Sequence, residues 1–283
     1  MRAETPEQDA ILAVAQNAEA VFVTYAQITA DVIAGLENCK VIGRFGVGTD
    51  NNDLGEPHVT EGAGLSVPDL DASRGQITPT GDGEITMMGV DVGRVLHVVI
   101  RTFIRSTGES RLEFARTVRS FEELPELMTR FNVRWCVIDS QPELHMVTKF
   151  IATRPTRILA ADYSRTERGH VRDKHQRVLH LNRTQLFDAL FESFRAGLHR
   201  LPEDARSLGG ATRDGIGEYY REMLALQRVV ERDNRGDLTA RYEDANRPDH
   251  FAHAEAYCYS MFVVRYGRRS RLPAFAQDPA TRY

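Results

Sequence analysis

The chain has 283 residues, of which 42% are hydrophobic, enough for one large domain or for a domain plus a smaller fragment. Its formal net charge of -4 argues against a uniformly basic surface of the kind that coats nucleic acid. Only Lys40, Lys149 and Lys174 among the 36 basic residues are lysines, but this arginine bias carries little functional weight because the overall charge balance is ordinary.

Residues 10–54 predict a single βαβ unit. A helix-like segment precedes a strand at 21–26, a helix at 28–36 and a second strand at 40–45. One such unit buries little surface and is not expected to fold independently.

A change of texture follows this unit. Residues 55–84 are rich in Gly, Pro, Thr and Asp and show little periodicity, which is typical of a linker or an extended arm. We therefore expect three parts: a fragment over 1–54, a connector over 55–84 and a larger domain over 85–283.

The larger domain is predicted to begin with three strands and to continue with strands that alternate with helices. The strands are expected at 85–93, 95–103, 111–118, 135–139, 157–163, 178–182 and 238–243, and the helices at 121–131, 142–152, 184–196, 219–230 and 249–266. This order predicts an α/β fold, with a ribonuclease-H-like mixed sheet flanked by helices. In that architecture the first and fourth strands are adjacent and parallel.

Three aspartates form the candidate site. Asp91 and Asp139 lie at the ends of the first and fourth strands, so their carboxylates are expected a few ångströms apart. Two such acids repel each other unless a proton or a cation lies between them, and carboxylate oxygens suit Mg²⁺ or Mn²⁺. Asp249 and His253, four residues apart, project from one face of the last helix. Asp249 would complete a two-ion site, and His253 would position a phosphate or assist a ligand.

Each of these residues also has an ordinary structural explanation. Asp91 fits a strand-to-turn aspartate, Asp139 the N-cap region of the next helix, Asp249 a first-turn acid, and His253 a packed or solvated histidine. Their joint occurrence in this order favours the site. Glu143, one turn past the fourth strand, competes with Asp139, which we prefer.

Two further histidines are assigned no role in the site. His97 is expected on a strand facing a partially polar surface, and His250 is expected to be exposed.

Several motifs together resemble the C-terminal nuclease domain of phage terminase large subunits. These are GVDVGRVLHVVI, VIDSQPE, RILAADY, NRTQLFDALFESFRAGLHRLP and PDHFAHAEAY, and GAGLSVPDLDAS resembles the connector that precedes that domain. The resemblance implies a ribonuclease-H-like endonuclease that acts on double-stranded DNA, with two Mg²⁺ or Mn²⁺ ions held by Asp91, Asp139 and Asp249. Portal protein and the small terminase subunit are its implied partners. Many relatives have an acid shortly after the last-motif histidine, and here Glu255 stands near that place with an open role.

The chain departs from that family in one respect. No G-x-x-x-x-G-K-[ST] P-loop occurs, so ATP-driven translocation by this chain and a nucleotide cofactor are not expected.

The first fifty residues resemble the early catalytic-domain segment of D-isomer-specific 2-hydroxyacid dehydrogenases, through ITADVIAGLENCKVIGRFGVGTDNNDL. Gly46 and Gly48 suggest a dinucleotide fingerprint, but Asn51 stands where its third glycine would be. We therefore expect no dehydrogenase chemistry.

The main prediction is a metal-dependent DNA endonuclease that grips phosphates through Arg94, Arg165, Arg168 and Arg172. Residues 166–177 are expected to form a solvated loop or a DNA-facing loop or hairpin. An NAD-linked oxidoreductase and a non-catalytic module that binds DNA or a packaging partner are the alternatives.

Location is predicted from three absences in the sequence. The three cysteines, Cys39, Cys136 and Cys258, form no C-x-x-C pair that would hold zinc or a redox disulfide. Neither a signal peptide nor a run of ~20 apolar residues is found. We expect a cytoplasmic protein of a bacterial or phage-infected cell, without membrane contact.

Overall fold

The computed structural model divides the chain into two compact units, residues 1–61 and residues 62–283. It describes residues 8–23, 29–36, 38–44, 64–75, 83–163, 170–173, 177–210, 215–232, 238–244 and 246–267.

The described part of the first unit contains two helices and two strands, α1 (Gln8–Ala15), β1 (Ala20–Val23), α2 (Ala30–Ala34) and β2 (Val41–Arg44). The two strands pair with each other in parallel, and α2 connects them along the chain, which confirms the predicted βαβ fragment. Thr29 begins α2 because its side-chain oxygen accepts a hydrogen bond from the backbone N–H of Val32 at 3.3 Å. The small core of this unit consists of Ile11, Ala15, Val32 and Leu36.

The second unit begins with α3 (Val67–Ala72), which lies inside the stretch expected to be a connector. Ser66 and Asp69 form a capping box at its start, and Leu70 is fully buried. The expected boundary near Leu54 lies outside the described residues.

Eight strands of the second unit form one mixed sheet. They are β3 (Glu84–Val92), β4 (Leu96–Ile104), β5 (Ser110–Val118), β6 (Trp135–Asp139), β7 (Ile158–Tyr163), β8 (His170–Asp173), β9 (Val178–Leu181) and β10 (His199–Arg200). Their order is β10-β5-β4-β3-β6-β7-β9-β8. The strands β3, β4 and β5 form an antiparallel meander, and β6 pairs in parallel with β3. This order confirms the predicted ribonuclease-H-like sheet.

Helices cover both faces of the sheet. They are α4 (Glu123–Arg130), α5 (Leu144–Thr153), α6 (Arg183–Arg195), α7 (Glu218–Met223) and α8 (His250–Tyr266), together with the 3-10 helix Ala205–Ser207. One core lies between the sheet and α6, α7 and α8, and the other between the sheet and α4 and α5. Among the described helices, none is long and apolar enough to cross a membrane.

The predicted helix over 219–230 is confirmed for 219–223, which lie in α7, and is wrong from Leu224 onward. The chain leaves α7 at Leu224 and forms β11 (Gln227–Arg232), which pairs antiparallel with β12 (Leu238–Glu243). The apolar spacing in this stretch fits either a helix or a strand. Val229 and Val230 are β-branched residues, which favour strands, and the pairing with β12 stabilises the strand.

The charged insertion at 166–177 contains a strand. Its residues 170–173 form β8 and pair antiparallel with β9 at the edge of the sheet. This corresponds to the hairpin alternative rather than to a plain loop.

Candidate active site

Asp91 and Asp139 stand side by side on neighbouring parallel strands. Val90 pairs with Ile138 across β3 and β6, and the two aspartates are the next residues of these strands. Neighbouring strands lie about 4.8 Å apart and side chains in register share one face, so both carboxylates leave the sheet on the same side. Asp91 is 6% exposed, and Asp139 is half-buried.

The face that carries the two carboxylates is the one on which α8 packs. Two residues before Asp91, Gly89 lies directly beneath this helix, and a Cβ atom there would overlap the carbonyl oxygen of Ala254 and the amide nitrogen of Cys258. The first glycine of GVDVG therefore allows α8 to approach the sheet backbone. This close approach brings the start of α8 to the carboxyl end of β3.

The carboxyl group of Asp139 has a pKa of about 6. Burial raises it, the charge of Asp91 raises it further, and a hydrogen bond from the backbone N–H of Gln141 opposes the rise. That hydrogen bond measures 3.1 Å. The side chain does not cap α5, since Glu143 occupies the N-cap position of that helix. A cation bound next to a buried acid and a second carboxylate would offset the repulsion between their negative charges.

Asp249 and His253 contact each other, as their spacing predicts. Asp249 occupies the N-cap position of α8 without capping it, and its Oδ2 accepts a hydrogen bond of 3.0 Å from Nε2 of His253. The other ring nitrogen, Nδ1, lies 2.8 Å from the hydroxyl of Tyr163 on β7. Because an ionised carboxylate only accepts, Nε2 of His253 carries a proton and donates it to Asp249.

The charge of Asp249 is retained despite burial. Burial raises the pKa of this carboxyl, but the hydrogen bond and charge of His253 and the charges of Arg183 and His250 outweigh it, so the net shift is downward. Nη2 of Arg183 lies 3.7 Å from Oδ2 of Asp249. Asp249 is therefore an ionised ligand candidate held in place by neighbours.

His250 contacts Asp91 directly, although sequence reasoning expected only an exposed side chain. Its Nδ1 lies 2.9 Å from Oδ2 of Asp91, and this hydrogen bond is the main reason that the pKa of His250 rises to about 9. The ring is 43% exposed. The one signal available in the sequence was its position next to Asp249 at the start of the last helix.

His97 and Glu222 are two further buried groups beside the site. The ring of His97 stacks on that of His250 with centroids 4.6 Å apart, and burial and the charge of His250 lower its pKa to about 4. Glu222 accepts a hydrogen bond of 2.8 Å from the amide of Phe251, while burial raises its pKa to about 7. Sequence reasoning placed His97 on a partially polar surface and did not single out Glu222.

Glu255 takes no part in this site. It is fully buried, and its two carboxylate oxygens accept hydrogen bonds from Nε and Nη2 of Arg101 at 2.6 and 2.9 Å. Tyr219 donates a further hydrogen bond to it. The acid that follows the last-motif histidine therefore joins α8 to β4 and α7.

The remaining sequence candidates are placed as follows. Glu143 is exposed at the start of α5, and Arg94 is exposed in the turn after β3. Arg165 and Arg168 lie outside the described residues, and for Arg172 only the backbone is described.

Metal-ligating side chains form two compact groups among the described residues. One contains Asp91, His97 and His250, and the other His97, Glu218 and Glu222; in each, the ligand atoms lie within 4.8 Å of one another. Neither group includes Asp139 or Asp249. The three aspartates thus do not crowd around a single point, and ions in two-metal sites are themselves about 3.5–4 Å apart.

Comparisons with known proteins identify two regions of similarity. Residues 2–56 match the D-isomer specific 2-hydroxyacid dehydrogenase catalytic domain. No curated protein matches the chain.

Three solved structures illustrate the second similarity. The large terminase nuclease from thermophilic phage G20c, with bound cobalt, is 14% identical over 68% of this chain and 94% of its own, with a TM-score of 0.42. The P22 large terminase nuclease domain is 10% identical over 74% and 94%, with a TM-score of 0.41. Thermus thermophilus RuvC is 16% identical over 65% and 97%, with a TM-score of 0.33. The two resemblances seen in the sequence motifs are both found here, and the site assignments rest on the geometry above.

Proposed function

We propose that the second unit is a metal-dependent endonuclease that hydrolyses phosphodiester bonds of double-stranded DNA. The observation that supports this most directly is the register of β3 and β6, which places Asp91 beside Asp139. Oxygen-only ligands of this kind suit Mg²⁺ or Mn²⁺. Burial and the charge of Asp91 raise the pKa of Asp139 to about 6, and a bound cation would favour the ionised form of this carboxyl.

Asp91, Asp139 and Asp249 would hold two ions. Such ions, when bound, activate water and stabilise the leaving oxygen of a phosphodiester. Asp91 and Asp139 supply adjacent carboxylates from the sheet, and Asp249 supplies one from the start of α8.

His253 orients Asp249 in this proposal. Its hydrogen bonds to Asp249 and to the Tyr163 hydroxyl fix the ring and the carboxylate together. In metal sites, the carboxylates that bind the ion are commonly held in place by hydrogen bonds from neighbouring side chains.

Arginines near the carboxylates would contact the DNA backbone. Arg183 lies 3.7 Å from Asp249, and Arg94 is exposed three residues after Asp91. Guanidinium groups bind phosphate oxygens irrespective of base sequence, so we expect little sequence specificity from these contacts.

Cleavage of supercoiled plasmid in Mg²⁺ or Mn²⁺ tests this function. Loss of an outer partner of a metal site costs 10–100-fold, so Asp91→Asn, which removes a ligand, is expected to lower the rate by more than about 100-fold. Asp204→Asn, an exposed aspartate, is the matched control and should cleave like the wild type. Equal cleavage by the Asp91→Asn variant would refute the mechanism, and DNA binding without metal-dependent cleavage would favour a non-catalytic module.

A further inference from the structure

A second group of metal-ligating side chains lies beside the three aspartates. Glu218 and Glu222 are one turn apart on α7, so both carboxylates leave the helix on the same side. They face His97 of β4, whose Nε2 lies 4.0 Å from Oε1 of Glu218 and 3.9 Å from Oε2 of Glu222. These three ligand atoms lie within 4.8 Å of one another.

His97 is the feature that distinguishes this group from a simple pair of acids. The residue is 4% exposed, and its Nδ1 has no hydrogen-bond partner among the described residues. Its Nε2 points at the two carboxylates from beyond hydrogen-bonding distance. Nearly all buried side-chain nitrogens are paired, and an ion bound between Nε2 and the two carboxylates would give this nitrogen a partner.

The spacing of the three atoms suits a shared ion. Zinc bonds to histidine nitrogen and carboxylate oxygen are about 2.0–2.2 Å long, so two ligands of one ion lie at most about 4.2 Å apart. The two separations from Nε2 of His97, 3.9 and 4.0 Å, fall inside that limit, and the two carboxylate oxygens lie within 4.8 Å of each other. A small inward movement of the half-exposed Glu218 would bring the three ligand atoms to the separation that is usual between ligands of one zinc ion.

The chemistry of the donors selects the kind of ion. One imidazole and two carboxylates suit Zn²⁺ and similar transition ions, whereas Mg²⁺ prefers oxygen ligands and water. The surroundings also suit a fixed site, because Glu222 is held by the Phe251 amide at 2.8 Å. The side chain of Glu218 is 37% exposed and leaves a path from solvent.

We propose that His97, Glu218 and Glu222 form a site for a divalent transition-metal ion such as Zn²⁺, separate from the carboxylates of Asp139 and Asp249. The ion joins α7 to β4 next to the candidate active site. This site does not depend on the proposed nuclease function, because none of its three ligands is among the aspartates assigned to catalysis.

Zinc binding by the chelator-stripped full-length chain tests the site. In excess Mg²⁺, which competes at carboxylate-only sites, we expect about one Zn²⁺ per chain and an X-ray absorption spectrum with a single imidazole ligand at about 2.0 Å. The Glu218→Gln variant, altered at a partly exposed position, is expected to bind Zn²⁺ at least about tenfold more weakly while keeping its circular dichroism melting curve. The Asp139→Asn variant is expected to bind Zn²⁺ like the wild type.

Three results would overturn the proposal. They are failure of the wild type to retain Zn²⁺, undiminished binding by Glu218→Gln, and loss of Zn²⁺ from Asp139→Asn, which would place the ion among the aspartates. Plasmid cleavage in Mg²⁺ is measured separately, so failure of the zinc site and failure of the nuclease function are distinguishable.

Discussion

At the scale of single residues, the charge of Asp139 destabilises the folded protein when no cation is bound beside it. Its carboxyl group ionises with a pKa of about 6 in the folded chain, because burial and Asp91 disfavour the charge. In the unfolded chain the same group ionises near about 3.9. Stability is therefore lost as the pH rises from about 4 to about 6, and the full loss persists above that range.

Replacement of Asp139 by Asn removes this penalty. In the absence of divalent ions, we expect Asp139→Asn to raise the free energy of unfolding by about 1–2 kcal/mol at pH 8, a value reduced from the full linkage because the side chain is partly exposed. At pH 5 the gain should be about half as large. Urea unfolding at the two pH values measures the difference. A gain that does not depend on pH would mean that the charge of Asp139 is not destabilising.

His250 and Asp91 show a different balance at the same scale. The histidine supplies a positive charge to one oxygen of Asp91, whereas Asp139 accepts a hydrogen bond from the neutral backbone N–H of Gln141. The two neighbouring carboxylates are therefore not equivalent. This asymmetry fits a site in which one acid is fixed by the protein and the other depends on a cation.

At the scale of elements, the position of α8 depends on a close backbone approach over β3. Gly89→Ala places a Cβ atom against the backbone of Ala254 and Cys258, which cannot move as a side-chain tip does. We expect a loss of about 3 kcal/mol or more in the free energy of unfolding. Gly93→Ala is the matched control, since its nearest neighbour atom would lie at 3.6 Å, an ordinary contact.

Chemical denaturation of the two glycine variants tests this packing. Equal stability of Gly89→Ala and Gly93→Ala would show that α8 does not lie where the structure places it. The site geometry, which depends on that position, would then be wrong as well.

The buried ion pair between Arg101 and Glu255 joins α8 to the sheet at a second point. Neither side chain is exposed to solvent, and the glutamate also accepts from Tyr219 of α7. Glu255→Gln leaves the guanidinium without its counter-charge, which typically costs about 3–5 kcal/mol. Glu126→Gln, on the exposed face of α4, should change stability by less than about 0.5 kcal/mol.

Thermal or urea unfolding compares these two glutamate variants. If Glu255→Gln were as stable as Glu126→Gln, the ion pair would not be a structural link, and a direct role of Glu255 in the chemistry would have to be reconsidered.

At the scale of the whole molecule, the strands β3 to β7 were predictable because clear turns or helices separate them, whereas the two-residue strand β10 was not predicted. The order of three strands followed by alternating strands and helices determined which strand ends meet, and so placed Asp91 beside Asp139. The predicted helix extends too far, over 224–230, because the apolar residues there fit both a helical and a strand period, and only pairing with β12 distinguishes the two.

His250 and His97 were beyond sequence reasoning for a related reason, whereas His253 is predicted by its spacing from Asp249. Whether His250 or its neighbours face Asp91 depends on the rotation of α8 about its axis, which is set by its contact with Gly89. Glu222 and His97 meet only through packing of α7 against β4 and α8. Long-range packing of this kind leaves no local pattern in the chain.

The central claim is that neighbouring strand-end carboxylates hold the ions used for DNA cleavage. Anomalous diffraction from crystals of the full-length chain soaked in Mn²⁺ tests it most directly. We expect manganese bound by both Asp91 and Asp139, with no manganese there in crystals of the Asp91→Asn variant. Manganese bound only elsewhere, with both aspartates free of metal, would contradict it.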